Sequence, residues 1–210
     1  MQHAIEHNNV EFHDAQPPQT DDRSELLQSL QEDHKRIDPK WFYDAKGSEL
    51  FEQITELPEY YPTRTEVSIL RDNREAISAL CGEGCVFIEP GSGNCEKAKL
   101  LLDALRPSAY VPLDISADFL REAANQLGNE FPWLNVHAIC ADFNREWSWL
   151  DKLPTGRRVV FYPGSTIGNL SDEEIAAFMT AAHALLGMES QFLIGVDLRK
   201  EAAILVPTLG

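Results

Sequence analysis

A short apolar stretch leads into a glycine-rich turn and then into a helical pattern over residues 86–102, which read VFIEPGSGNCEKAKLLL. This order of strand, glycine turn and helix is typical of α/β folds that hold a nucleotide-like cofactor at the turn. Further strand patterns alternate with helical ones downstream, at 109–113, 135–140, 158–162 and 192–196. The alternation predicts an α/β fold with a doubly wound parallel sheet in which strands one to five are present.

Several helices are also predicted from local patterns. Apolar spacing predicts helices at 95–105 and 117–127, and another within SELLQSLQEDHKRI, residues 24–37. The segment SDEE at 171–174 has the pattern of a capping box, in which the Ser171 hydroxyl and the Glu174 carboxylate each accept from a backbone N–H. A last helix is predicted to begin in LRKEAAILV, residues 198–206.

Charge and composition narrow the range of partners. The 210 residues carry a net charge of −16, which argues against nucleic acid and anionic membranes, since both require a basic surface. The sequence begins without a secretory leader pattern and has no apolar run that could span a bilayer, so we expect a cytoplasmic protein with a small-molecule substrate and no obligate protein partner. Four scattered cysteines lack zinc-ligand spacing, so we expect buried, reduced thiols and no metal site.

The chain divides into three predicted regions. Residues 1–38 form a polar, acidic arm, residues 39–80 a helical aromatic cap, and residues 81–210 the α/β core. In the cap, aromatic residues and prolines surround a short amphipathic helix predicted at 48–56, and the second helical pattern begins at Glu66. Such a cap either packs on the core or lends tyrosines to a ligand cleft, because a phenol offers an apolar wall with a polar tip.

The acids around the glycine turn restrict which cofactor it can hold. A dinucleotide fingerprint needs a third glycine where this chain has Glu96, and Glu89 precedes the turn, so a pyrophosphate would meet two carboxylates. A cation without phosphates, such as S-adenosylmethionine, suits this turn better. Asp114 follows the strand at 109–113, where a carboxylate can accept from both ribose hydroxyls, and Asp142 and Phe143 follow the strand at 135–140, where they can meet the adenine.

Four longer motifs carry a resemblance to a known family. They read PKWFYDAKGSELFEQITELPEYYPTRTE, IEPGSGNCEKAKLLL, VPLDIS and FYPGSTIGNL. Over about residues 39–206 the chain resembles the L-histidine Nα-methyltransferases, which make the trimethylated histidine precursor of ergothioneine. The resemblance implies a Rossmann-like class I methyltransferase fold. It also implies an S-adenosylmethionine site formed by Tyr43, Gly91, Lys97, Asp114, Asp142 and Phe143.

The same resemblance implies a histidine site and two catalytic residues. Tyr60 would contact the imidazole, and Asn169 would hold the α-amino and carboxylate groups, with Gly164 and Tyr43 nearby. Tyr43 and Asn169 would aim the amine at the methyl group, since transfer from a sulfonium needs alignment rather than a nucleophilic side chain. Tyr61 is expected to pack rather than to bind a ligand.

The sequence departs from the family pattern after about residue 206. The family continues with a further substrate tyrosine and an imidazole-selecting region, whereas this sequence reads PTLG and ends, with Leu209 near that tyrosine's place. We therefore expect a truncated member of the family. Two alternatives stay open: a methyltransferase of another amino acid or small amine, and a non-catalytic S-adenosylmethionine-binding module.

Overall fold

Six parallel strands form one sheet in the order β1-β4-β3-β2-β5-β6. The computed structural model describes residues 9–15, 22–35, 37, 39–42, 45–142, 149, 153–187 and 189–199. The strands are β1 Val10–Asp14, β2 Val86–Pro90, β3 Ala109–Asp114, β4 Val136–Cys140, β5 Arg158–Tyr162 and β6 Gln191–Ile194. The helices are α1 Asp22–Gln31, α2 Ala45–Glu56, α3 Tyr61–Cys81, α4 Glu96–Leu105, α5 Ala117–Glu130 and α6 Asp172–Leu186, with short 3-10 helices at Pro39–Phe42 and Thr166–Asn169.

Helices cover both faces of the sheet, so its central strands are largely apolar. All five residues of β2 are buried. Leu101 of α4 and Leu120 of α5 are buried against one face, and Phe178 of α6 is buried against the other. This arrangement confirms the predicted doubly wound α/β fold, in which parallel strands with two covered faces read as apolar runs. The four cysteines are free and buried, as predicted.

The edge strand β1 was not predicted, because its residues lie in the region that the sequence analysis assigned to an arm. In β1, Val10 and Phe12 pack against the core that α5 covers. The Asn9 side chain, just before the strand, donates to three backbone carbonyl groups at the end of α5 and in the loop after it, at 3.0–3.3 Å. A Cβ on Gly128 of α5 would lie 2.4 Å from Val10 Cγ2, so the helix lies against the strand only because this residue is glycine.

Local signals placed most other elements correctly, with several shifted boundaries. The capping box of α6 is confirmed, with the Ser171 hydroxyl accepting from the Glu174 N–H at 3.3 Å and the Glu174 carboxylate accepting from the Ser171 N–H at 2.7 Å. Helix α3 begins at Tyr61 rather than at Glu66, and Pro62 occupies its first turn, where a missing N–H costs nothing. The helix predicted at 198–206 lies almost wholly outside the described residues. No helix in the described ranges is long and apolar enough to cross a bilayer.

Candidate functional site

A cleft of about 1290 Å³ lies at the carboxyl ends of the strands. Its floor is formed by residues at the ends of β2, β3, β4 and β5, and its walls by α2, α3 and α6. Ligands of open parallel sheets bind at this end, because the turns after the strands converge there. The cleft is therefore the candidate site for cofactor and substrate.

The glycine-rich turn after β2 forms one side of the cleft. Gly91 has a φ of 67°, a left-handed conformation that favours glycine, and no side chain separates its backbone from the cleft. The turn is fixed to the neighbouring strand, because the Ser92 N–H donates to the Leu113 carbonyl at 2.9 Å. Helix α4 then begins at Glu96, so the predicted order of strand, turn and helix is confirmed.

Asp114 ends β3 beside this turn. One of its carboxylate oxygens accepts from the Gly93 N–H at 3.1 Å, and the other accepts from the Ser116 N–H at 3.0 Å. Burial raises the pKa of Asp114 above its ordinary value, while these backbone hydrogen bonds act to lower it. The side chain is thus fixed in orientation at the cleft wall. Asp142 lies just after β4, half-buried, and also lines the cleft.

Glu89 near the end of β2 is the most enclosed acid of the cleft, at 1% exposed. Its carboxylate accepts a hydrogen bond from the Tyr110 hydroxyl of β3. Burial raises the pKa of Glu89 to about 8, although the Tyr110 hydrogen bond and the nearby Lys97 charge act to lower it. This carboxyl group therefore changes charge near neutral pH.

Lys97 is held by an acid that the sequence analysis did not assign to the site. Its ammonium lies 2.6 Å from the Glu66 carboxylate of α3, and both side chains are largely buried, at 22% and 17% exposed. The two Glu66 oxygens also accept from the Gly164 N–H after β5, at 2.8 and 2.9 Å. A Cβ on Gly195, just after β6, would lie 1.9 Å from Glu66 Oε1. One carboxylate thus joins α3 to α4 and to the turn after β5, and it lies close against the turn after β6.

Glu66 had a weak signal in the sequence. It closes the motif PEYYPTRTE that carried the family resemblance, but helical spacing alone does not tell which acid of a helix faces a cleft.

The predicted aromatic cap lies directly over the turn. The Glu52 carboxylate of α2 accepts from the Asn94 side-chain amide at 2.8 Å. Tyr60, between α2 and α3, lines the cleft and meets Phe51 edge-on, with ring centroids 6.1 Å apart. Tyr61 also lines the cleft and donates its hydroxyl hydrogen bond to Asp197, so the expectation that it only packs is incomplete. The cap is therefore one wall of the cleft.

The remaining predicted residues fall into two groups. Gly164 and Asn169 lie in the segment after β5, with Asn169 exposed at the end of the 3-10 helix, and both line the cleft. Seven of the predicted site residues thus line one cleft: Tyr60, Gly91, Lys97, Asp114, Asp142, Gly164 and Asn169. Tyr43 and Phe143 lie outside the described residues.

Comparison with known proteins identifies a family of methyltransferases that matches most of this chain. The family described as histidine-specific, S-adenosylmethionine-dependent methyltransferases matches residues 22–208. The histidine N-alpha-methyltransferase of Mycolicibacterium smegmatis is 45% identical over 177 residues, covering 82% of this chain and 54% of that protein. That of Mycobacterium tuberculosis is 42% identical over 189 residues, covering 88% of this chain and 58% of that protein. The chain thus spans somewhat more than half the length of these relatives.

A solved structure shows which fold this chain has. The magnesium protoporphyrin IX methyltransferase of Synechocystis PCC 6803, with bound S-adenosylmethionine, matches with a TM-score of 0.53 at 15% identity, covering 83% of this chain and 86% of that one. The sheet is therefore a class I methyltransferase sheet, as predicted. The family match over most of the sequence shows that the chain belongs to the histidine-specific, S-adenosylmethionine-dependent methyltransferases.

Proposed function

We propose that the cleft binds S-adenosylmethionine beside L-histidine and that the protein methylates the α-amino group of histidine in the ergothioneine pathway. The observation that carries the proposal is the position of Asp114, fixed by the Gly93 and Ser116 N–H groups at the wall of the cleft in a chain of this family. A carboxylate at the end of the second strand of such a sheet is placed to accept from a ribose.

The cleft suits a cationic cofactor better than a phosphate. Asp114 lines it near the turn, the neighbouring Glu89 carboxyl group can release its proton beside a cation, and Lys97 is already paired with Glu66. Bare backbone at Gly91 permits close approach of a ligand. We assign ribose binding to Asp114 and adenine binding to Asp142, with Phe143 and Tyr43 completing the site as the sequence predicts. Lys97, through its ion pair, holds the turn after β5 in place.

Catalysis then depends on alignment rather than on a nucleophilic side chain. When bound, S-adenosylmethionine supplies a methyl group already activated on a sulfonium. The protein must present the histidine amine with its lone pair free, and the Asn169 side-chain oxygen and the Tyr43 hydroxyl are suited to accept from its remaining N–H groups. Tyr60 would meet the imidazole, and Gly164 would leave room for the substrate backbone. Before each transfer the ammonium form of the amine loses one proton, which passes to solvent.

Two properties stay predictions from the sequence. One is the cytoplasmic location. The other is the choice of histidine over other amines, because the relatives extend well beyond the part that this chain matches.

Mass spectrometry of reaction mixtures tests the function. The protein is incubated with S-adenosylmethionine and L-histidine, and mono-, di- and trimethylhistidine are measured. We expect methylated histidine from the wild-type protein, a decrease of about 10-fold or more for Asn169→Ala, and no change for Asn129→Ala, an exposed asparagine on α5. Methylation of another amine in preference to histidine would contradict the substrate assignment. Cofactor binding without any methylation would favour a non-catalytic binding module.

A further inference from the structure

Two histidines and one glutamate meet at the edge of the sheet, away from the cleft. Glu11 and His13 belong to β1 and lie two residues apart, so their side chains share one face of the strand. The parallel register places His137 of β4 directly beside Glu11. Their neighbours Val10 and Phe12 pack with α5 on the other face, and none of the three residues lines the cleft.

One nitrogen of each imidazole lies close to the same carboxylate oxygen. His13 Nε2 and His137 Nδ1 each lie 3.5 Å from Glu11 Oε2, and the ligand atoms of the three residues all lie within 4.8 Å of one another. The two rings are stacked, with an interplanar angle of 5°. Two ligands bound about 2.1 Å from a tetrahedral zinc ion lie roughly 3.4 Å apart. The spacing of nitrogen to oxygen therefore matches that of donors sharing one metal ion.

Neither of these nitrogens has its bonding capacity filled by the described residues. His13 Nε2 and His137 Nδ1 are both enclosed and form no hydrogen bond there, since the contacts with Glu11 lack hydrogen-bond geometry. Enclosed polar atoms normally have a partner, because desolvating one without compensation is unfavourable. Once the side chains rotate out of this stacked arrangement, a metal ion between the rings and the carboxylate would satisfy both nitrogens at once.

We propose that Glu11, His13 and His137 bind a divalent transition-metal ion, with zinc as the best fit, and that this ion fastens the edge strand β1 to β4. Two imidazoles and one carboxylate form a donor set that zinc accepts in proteins, with the fourth position left to water. The Glu11 side chain is 64% exposed, so an ion and its water can reach the site.

The backbone on both sides of the site is already fixed. The Val136 N–H donates to the Asn9 carbonyl at 2.8 Å, and the Ala15 N–H donates to the Cys140 carbonyl at 2.9 Å, so both ends of β1 are tied to β4. The donors therefore need side-chain adjustment only. This site could not be predicted from the sequence, because His137 is far from Glu11 and His13 along the chain and meets them only in the folded sheet.

Metal titration of the purified, chelator-treated protein tests the proposal. Zinc affinity is measured by competition with a chromophoric chelator, and cobalt(II) is added separately to record its visible absorption. We expect one zinc ion per chain, a tetrahedral cobalt spectrum, and an increase in thermal stability with zinc. His13→Ala and His137→Ala should each weaken zinc binding by at least about 100-fold, since even partners of ligands change affinity by 10–100-fold.

Two controls keep the result interpretable. His183→Ala removes an exposed histidine of α6 and should leave zinc affinity unchanged. His137→Gln keeps a polar side chain on β4, so a folded variant with lost zinc binding separates ligand loss from misfolding, which circular dichroism monitors. Absence of zinc binding to the wild-type protein would overturn the proposal, as would binding that survives both histidine substitutions.

Discussion

Glu89 is an acid whose environment opposes its charge. Burial raises its pKa to about 8 from an ordinary value of 4.5. Unfolding exposes the carboxyl group, so between about pH 4.5 and pH 8 the folded protein holds a proton that the unfolded chain has released. The stability that this group contributes is therefore complete below pH 4.5 and is lost as the pH rises to about 8.

Substitution of Glu89 by glutamine should remove this pH dependence. The amide still accepts from the Tyr110 hydroxyl but does not ionise, so Glu89→Gln should gain stability relative to wild type as the pH rises from 5 to 8.5. The expected gain is on the order of a few kcal/mol, since one pKa unit corresponds to about 1.4 kcal/mol. Urea unfolding at several pH values measures it, with the exposed Glu83→Gln as the control. A pH-independent difference would show that Glu89 titrates normally in the folded protein.

Glu66 offers a second test at the scale of one side chain. Glu66→Gln leaves the largely buried Lys97 ammonium without its counter-charge, so we expect a loss of about 1–3 kcal/mol in unfolding free energy. Glu49→Gln is a matched control, because Glu49 pairs with Lys46 at 3.2 Å on the surface, where such pairs contribute about 0–1 kcal/mol. Equal effects of the two substitutions in urea unfolding would contradict the linking role given to Glu66.

At the scale of elements, local signals in the sequence predicted individual helices and strands. They did not predict which elements pack together. The start of α6 follows from a capping box within four residues, and β5 follows from an apolar run that matches its observed bounds. Strand β1 escaped prediction because its short alternation of Val10 and Phe12 with Glu11 and His13 lies within a long polar stretch that was assigned to an arm. Its place depends on contacts with α5 and β4 that no local pattern reveals.

The contact between β1 and α5 predicts that substitutions at Val10 and Gly128 have coupled effects on stability. Gly128→Ala should destabilise the protein by about 1 kcal/mol or more, because its new Cβ would collide with Val10 Cγ2 and overpacking outweighs the gain in helix propensity. In a Val10→Ala background the colliding methyl is absent, so the same substitution should stabilise by about 0.5–1 kcal/mol. Thermal or urea unfolding of the four proteins measures this cycle. The same sign in both backgrounds would mean that the strand does not pack on Gly128.

At the scale of the whole molecule, residues at strand ends could be assigned to the site from the sequence more readily than residues within helices. Asp114 and Asp142 follow strands whose order in an α/β sheet brings their carboxyl ends together, so the sequence predicted their meeting. Glu66, by contrast, reaches Lys97 and Gly164 only through the packing of α3 across the sheet ends. Residue types near strand ends can thus be inferred from sequence, whereas links between elements require the fold.

The central claim is that this cleft binds an adenosyl cofactor free of phosphates, with Asp114 as its main anchor. Calorimetric titration with S-adenosylhomocysteine, and separately with NAD, tests it most directly. We expect binding of S-adenosylhomocysteine only, weakened about 10-fold or more in Asp114→Asn and unchanged in Asp118→Asn, an exposed acid on α5. Binding of NAD in competition with S-adenosylhomocysteine, or an affinity that Asp114→Asn leaves intact, would contradict the claim.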